Sequence, residues 1–165
     1  MPDLVVRKGL GGAALRPSCS KPLSEWLNTT PSLVVGTTET PRWSPPGTPP
    51  PAVLSDARST LAAYERYLAP GHRADITGAI ATTLRIYFDP EFDDGGVDQA
   101  AMEAWLMDLA DLPGWAVVEA CSQWRKRNER RPTPAGIRNL ALQETERDRE
   151  TLRRLRLTCD LNEAA

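Results

Sequence analysis

Ten of the fifteen prolines in this 165-residue chain fall within its first 53 residues, ending in Pro45-Pro46-Gly47-Thr48-Pro49-Pro50-Pro51. Each proline removes a backbone donor and biases the residue before it towards extended conformations. Residues 1–53 are therefore expected to form a largely irregular, proline-rich arm. Regular structure is left to residues 54–165, read as one helical domain. Two apolar islands interrupt the arm, Leu23-Ser24-Glu25-Trp26-Leu27 and Leu33-Val34-Val35. They either dock on the folded body, stay disordered, or act as a short linear motif with Trp26 as its anchor. On the motif reading, deleting residues 1–53 abolishes partner capture and leaves the body folded.

Beyond the arm the apolar period becomes helical. Leu54, Ala57, Leu61, Tyr64 and Leu68 recur at i, i+3 and i+4 behind Ser55 as N-cap, and Pro70-Gly71 stops the helix. A second helix is expected over Asp75–Phe88, with Ile76, Ile80, Leu84 and Tyr87 on one stripe. Asp98 is expected to cap a third, whose stripe is Met102, Trp105, Leu106 and Leu109. Pro113 suits the first turn of a fourth helix bearing Trp115, Val118, Cys121 and Trp124. Thr133 as N-cap and Pro134 at the first position open a fifth that buries Ile137, Leu140 and Ala141. No alternating pattern of useful length follows residue 53. The fold class is all-α: a small bundle of about five helices with a long, charged C-terminal helix.

That last helix changes character along its length. Gln143 to Thr151 offers no apolar stripe and is expected to project into water. Leu152, Leu155 and Cys159 then restart a narrow stripe, which packs either on Leu54 or Trp26 or against another chain.

The formal net charge of −2 conceals a strong asymmetry. Residues 54–119 carry four basic and twelve acidic side chains, whereas residues 120–158 carry eleven basic and five acidic. A generic nucleic-acid binder is more often basic overall; this chain offers faces of opposite sign. Cys19, Cys121 and Cys159 are odd in number and form no CxxC pair, which argues against a disulfide framework or zinc site and fits a reducing cytoplasm. Arg7 and Lys8 precede only a short, glycine-broken apolar run, not a secretory leader. No stretch approaches the roughly 20 apolar residues that span a bilayer.

Catalytic signatures are absent. The acidic loop Asp89–Gly96 fails as a calcium loop, because the positions needing glycine and a bidentate glutamate hold Asp94 and Ala100. His72, the sole histidine, sits in a Pro-Gly-His-Arg turn with no orienting partner at a recognisable spacing. Neither nucleophile–base motifs, HExxH nor a phosphate-binding GxxxxGK[ST] occurs. No enzyme, metal, cofactor or small-molecule substrate is expected. The best candidate site is the cationic corner Arg125, Lys126, Arg127, Arg130 and Arg131, with Arg138 one helix onward. These residues are suited to nucleic-acid phosphates or an acidic protein surface, with Trp124 as a base-stacking platform if exposed. They equally suit a helix C-terminus, where cations meet the macrodipole. The long connection through Pro132 and the Pro134-Ala135-Gly136 opening are poorly suited to reading base edges as a helix-turn-helix.

Residues 76–142 resemble the small helical domain of phage replicative-helicase loader/inhibitor proteins and related prophage replication accessory proteins. The resemblance is carried by the aromatic pair Tyr87-Phe88 and by Glu103-Ala104-Trp105-Leu106-Met107-Asp108-Leu109. Trp115-Ala116-Val117-Val118-Glu119-Ala120-Cys121 and the closing turn Pro132 to Arg138 complete it. The first 53 residues lie outside the match and depart from the family's short beginnings. The resemblance implies a non-enzymatic protein that grips a hexameric replicative helicase and delivers it to, or holds it off, single-stranded DNA. Another host or phage protein remains open as the partner. Arg149, Leu152, Arg153, Leu155 and Arg156 are then the natural contacts, the leucines as apolar anchors and the arginines as steering charges. Their assignment rests on chemistry, not on a motif matched residue by residue.

Overall fold

The computed structural model describes residues 15–29, 43–87 and 99–161. Among them are six helices and no strand: α1 (Lys21–Leu27), α2 (Pro51–Tyr67), α3 (Arg73–Ile86), α4 (Gln99–Leu109), α5 (Gly114–Arg127) and α6 (Pro134–Asp160). The fold is all-α, as the periodicity implies. No described helix is long and apolar enough to cross a membrane. The chain divides into two compact units. One combines Arg16–Tyr67 with the stretch from Arg147 onwards, and the other holds Leu68–Glu146. They are called here the α2 unit and the α3–α5 unit; α6 begins in the second and ends in the first.

The α3–α5 unit is organised by a close backbone contact. The Gly71 N–H donates to Leu112 O at 3.0 Å, and a Cβ built on Gly71 would fall inside the contact radii of Gly114 Cα and N. The approach requires glycine at 71, while a Cβ on Gly114 would make a tight contact of 3.2 Å with Gly71 Cα. It explains why Pro113 stands at the N-cap of α5, one place earlier than expected, with Gly114 as the first helical residue. From that contact α3 and α5 run side by side in the same direction. The Arg125 guanidinium donates to Thr83 Oγ1 at 2.6 Å and Tyr87 Oη donates to Asn128 O at 2.7 Å, so the two helices also end together. The core is Ile76, Ile80 and Leu84 against Trp105, Leu106 and Leu109, then Ala116, Val117, Ala120 and Cys121, closed by Ile137 and Ala141. Burial pushes the Cys121 thiol above its usual pKa. Met102, Trp115, Trp124 and Leu140 pack on this cluster only in part, so α5 turns its alanines inward and its tryptophans towards the edge.

The start of α6 follows the sequence reading. Thr133 Oγ1 accepts from Gly136 N at 3.1 Å, with Pro134 in the first position, where a missing N–H costs nothing. Asp98 and the acidic loop 89–96 lie outside the described residues, as do Phe88 and the Leu33-Val34-Val35 island.

The α2 unit differs more from expectation. Helix α2 begins at Pro51, not behind Ser55, and Leu54 N donates to Pro50 O at 2.9 Å. Prolines suit a first helical turn, whose N–H groups have no intrahelical acceptor. The expected domain boundary at residue 53 thus falls inside a helix. The buried stripe is Val53, Ala57, Thr60, Tyr64 and Tyr67, displaced by one position at Leu54, Leu61 and Leu68. The Leu23–Leu27 island forms α1, with Ser20 Oγ accepting from Leu23 N and Pro22 in its first turn. Leu23 and Leu27 are buried and α1 packs on α2, so this part of the arm belongs to a core.

The stretch Gln143 to Thr151 does not project into water. Thr145 is 0% exposed and Asp148 is 5% exposed, the latter paired with Arg16 at 2.6 Å. A polar side chain can face inward when a partner waits there, which an apolar pattern does not register. Beyond it Leu155, Thr158 and Cys159 are buried, and Trp26 Nε1 donates to Thr158 Oγ1 at 3.4 Å. The narrow stripe therefore packs within its own chain. Burial and the Cys19 thiol push the Tyr64 hydroxyl, beside that seam, up to about 12.

The Gly71 contact gives a stability test with opposite signs at two glycines of one region. Gly71→Ala must separate two backbones and is expected to cost about 3 kcal/mol in urea unfolding. Gly78→Ala, whose Cβ meets nothing within 4 Å, is expected to stabilise by up to about 1 kcal/mol through helix propensity.

Candidate functional site

The cations singled out in the sequence separate into two groups. Lys126, Arg127, Arg130 and Arg131 are exposed around the C-terminal turn of α5 and the loop that follows it. For Lys126, Arg127 and Arg130 there is no ion pair or side-chain hydrogen bond among the described residues. Arg131 does have a partner. Arg125 and Arg138 leave the group. Arg125 is partly buried and bonded to the Thr83 hydroxyl, which itself donates to Ala79 O at 2.8 Å. Arg138 forks onto the Asp111 carboxylate at 2.6 and 2.8 Å and donates to Asp108 O at 2.6 Å, clamping the end of α4. The hydrogen bonds it donates to Asp111 hold the Arg138 pKa above its usual value.

Trp124 is partly buried. Its Nε1 donates to Arg130 O at 2.9 Å, and its ring lies across Gly136, where an added Cβ would come within 2.6 Å of Cζ3. The indole therefore fixes the loop that carries Arg130, and in doing so holds three free cations on a defined frame. Glu129 is exposed among them and lowers the local positive charge.

A fifth basic residue at this end escaped the sequence reading. Arg85 is exposed in the last turn of α3, and the Tyr87–Asn128 bond brings that turn to the same end of the unit as the last turn of α5. Forty residues of chain separate Arg85 from Arg125, and only the parallel course of α3 and α5 relates them. His72 is exposed at the N-cap of α3 and makes no capping bond. Among the described residues no group of three histidine, cysteine or acidic side chains is placed to hold a metal ion.

The expected helicase contacts lie on the second half of α6, within the α2 unit, and most are engaged there. Leu155 is 0% exposed and cannot anchor a partner while the unit is folded. Leu152 is half-buried. Arg153 pairs with Glu150 at 2.8 Å and reaches the Trp43 carbonyl, and Arg156 pairs with Glu65 at 3.1 Å. Arg149 is exposed but has a partner. Trp26 is partly buried and spends its N–H on Thr158. A neighbour, Arg154, donates to Leu27 O at 2.6 Å, an otherwise orphaned carbonyl at the end of α1, and lies 5.5 Å from the Trp43 ring centroid. These arginines tie α6 to α1, α2 and the stretch at Trp43, a use that sequence spacing does not distinguish from an open basic face.

No family model, curated protein or solved structure matches the chain.

The arginine staples depend on Glu150, whose carboxylate accepts from both Arg153 and Arg154 at 2.8 Å. The hydrogen bond from Arg153, followed by that from Arg154, lowers its pKa from 4.5 to about 2. A carboxylate depressed in the folded state stabilises above its unfolded pKa, and the effect fades as pH falls through the folded value. Glu150→Gln is therefore expected to lower the Tm at pH 7, with the gap to wild type closing between about pH 4.5 and pH 2. A gap independent of pH would remove the carboxylate from the account.

Proposed function

We propose that this chain is a non-enzymatic phage or prophage DNA-replication accessory protein that binds a hexameric replicative helicase through the basic end of its α3–α5 unit. The observation that carries the placement is the contrast between two sets of cations. Lys126, Arg127 and Arg130 are exposed without partners among the described residues, while Arg153, Arg154 and Arg156 are occupied inside the α2 unit. Free cations on a fixed frame steer an acidic partner and set orientation, whereas cations already paired contribute little to a new interface. The choice of a helicase rests on the resemblance of residues 76–142, whose closing turn is the part that positions these cations. Within this reading, loading and inhibition both require the same grip.

A second reading is favoured by the same residues: the basic end contacts the phosphates of single-stranded DNA directly. With Trp124 held against Gly136, that contact is electrostatic and lacks base stacking. A third partner mode, capture by the proline-rich arm, is not separable by deleting residues 1–53, because Leu23, Leu27 and Trp43 are buried and their loss opens the α2 unit.

The joint substitution Lys126→Glu, Arg127→Glu, Arg130→Glu tests the placement at fully solvated sites. Helicase capture by the purified chain is expected to weaken at least tenfold, with the Tm changed little. The unchanged chain is expected to leave the anisotropy of labelled single-stranded DNA flat at low salt. Undiminished capture by the variant defeats the placement. DNA binding with a log–log salt slope of about −0.7 per phosphate contact establishes the second reading instead.

A further inference from the structure

One surface of the α3–α5 unit is shaped for an occupant that the described residues do not supply. An open groove of about 260 Å³ lies between α3 and α5, lined by Ala74, Asp75, Gly78, Ala79, Thr82, Val118 and Arg125. Gly78 stands in mid-helix, where glycine is the least favourable residue after proline. A Cβ added there would meet nothing within 4 Å, so no described atom requires its absence. Gly71, by contrast, is required by the backbone it touches. The space over Gly78 is room for another stretch of chain to come close.

The groove is mainly apolar, and its uncommitted charge is negative. Arg125 is spent on the Thr83 hydroxyl. Asp75 is half-buried and makes no ion pair or side-chain hydrogen bond among the described residues. Asp75, Gly78, Ala79 and Thr82 fall at i, i+3, i+4 and i+7 of α3, a stripe about 10 Å long with the carboxylate at one end. Such a stripe fits an extended segment whose apolar side chains are followed by a cation.

Residues 1–14 contain that pattern in Leu4-Val5-Val6-Arg7-Lys8. Alternate side chains of an extended chain share a face, so Leu4, Val6 and Lys8 make a row about 13 Å long. Leu15, where the described chain begins, groups with the α3–α5 unit. The nine residues from Leu15 back to Val6 reach up to about 30 Å, more than the roughly 20 Å length of α3. A short tether holds its segment at an effective concentration in the millimolar range, against which a second copy at micromolar concentration competes poorly.

We infer that the groove between α3 and α5 is a docking site for an extended apolar segment ending in a cation, and that Leu4, Val6 and Lys8 of the same chain occupy it. Val6 covers Gly78, Lys8 meets Asp75, and Leu4 lies towards Thr82. Burial of the two aliphatic side chains drives the docking, while the solvated ion pair fixes its direction. The inference is independent of the helicase reading, since neither Leu4, Val6 and Lys8 nor the groove includes Lys126, Arg127 or Arg130.

Nuclear Overhauser contacts in the isotopically labelled full chain read the docking directly. Cross-peaks are expected from the Val6 methyls to the Ala79 methyl and the Gly78 Hα, with intensities independent of protein concentration. Gly78→Leu fills the groove from a position with open space around its Cβ, and Val6→Asp removes an apolar anchor outside both compact units. Each is expected to abolish the contacts between residues 4–8 and the groove. Lys8→Glu is expected to weaken them several-fold. Absence of any contact between residues 4–8 and the groove overturns the inference. Contacts that survive Gly78→Leu overturn it too, as do contacts found only between differently labelled copies, which assign the groove to a second chain. Reversal of Lys126, Arg127 and Arg130 is expected to leave the cross-peaks intact, so failure of helicase capture and failure of docking are separate outcomes.

Discussion

The contact of Gly71 with Gly114 is the constraint from which the α3–α5 unit follows. With no side chain on either residue, the starts of α3 and α5 meet backbone to backbone, and the Gly71 N–H bonds to the carbonyl of Leu112. Two helices joined at their starts and running the same way need a return segment, and α4 is that segment. Its Trp105, Leu106 and Leu109 fill the space the pair leaves. The far ends of α3 and α5 are then held together by Arg125 on Thr83 and Tyr87 on Asn128. The basic turn of α5 thus stands on a frame fixed at both ends, which is what gives its free cations a definite direction.

Helix α6 solves two different burial problems with one continuous backbone. Its first turns bury Ile137 and Ala141, ordinary apolar packing worth a few kcal/mol per large side chain. Its later turns bury Thr145, Asp148 and Thr158 and depend on specific partners, Arg16 for Asp148 and Trp26 for Thr158. Arg153 and Arg154 then satisfy backbone carbonyls of Trp43 and Leu27 that would otherwise be left to water. Positive charge in this helix is thus largely structural. The same residue type has a different role on α5, where the side chains of Lys126, Arg127 and Arg130 are exposed and make no ion pair or hydrogen bond among the described residues.

Much of the helical order was legible because large apolar side chains at helical spacing face inward wherever no other force competes. Ile76, Ile80 and Leu84, the Trp105–Leu109 stripe and the Thr133-Pro134 start of α6 stand where the period places them. The errors have a common origin in polar or small residues. The α2 stripe moved by one position because Thr60 is buried in place of Leu61. The α5 stripe rotated towards Ala116 and Ala120, which are fully buried where α5 packs closely on α3. Asp148 reads as solvated from sequence because its partner, Arg16, lies 132 residues away. Helix α1 was missed because seven residues flanked by prolines carry little periodic signal. Its Ser20 cap was the available clue. At the candidate site the free cations were identifiable from charge density alone. Which of their neighbours were already engaged was not, since Asp111, Thr83 and Gly136 meet them only through the fold.

Among the described residues, Lys126, Arg127 and Arg130 are a set of exposed, unpaired cations gathered at a fixed helix end. The account is tested most directly by hydrogen–deuterium exchange of the chain alone and in the presence of a hexameric replicative helicase. It predicts slowed exchange in the last turn of α5 and in residues 128–133, with the second half of α6 unchanged. Protection confined to residues 147–160, or none at either place with helicase in excess, would contradict it.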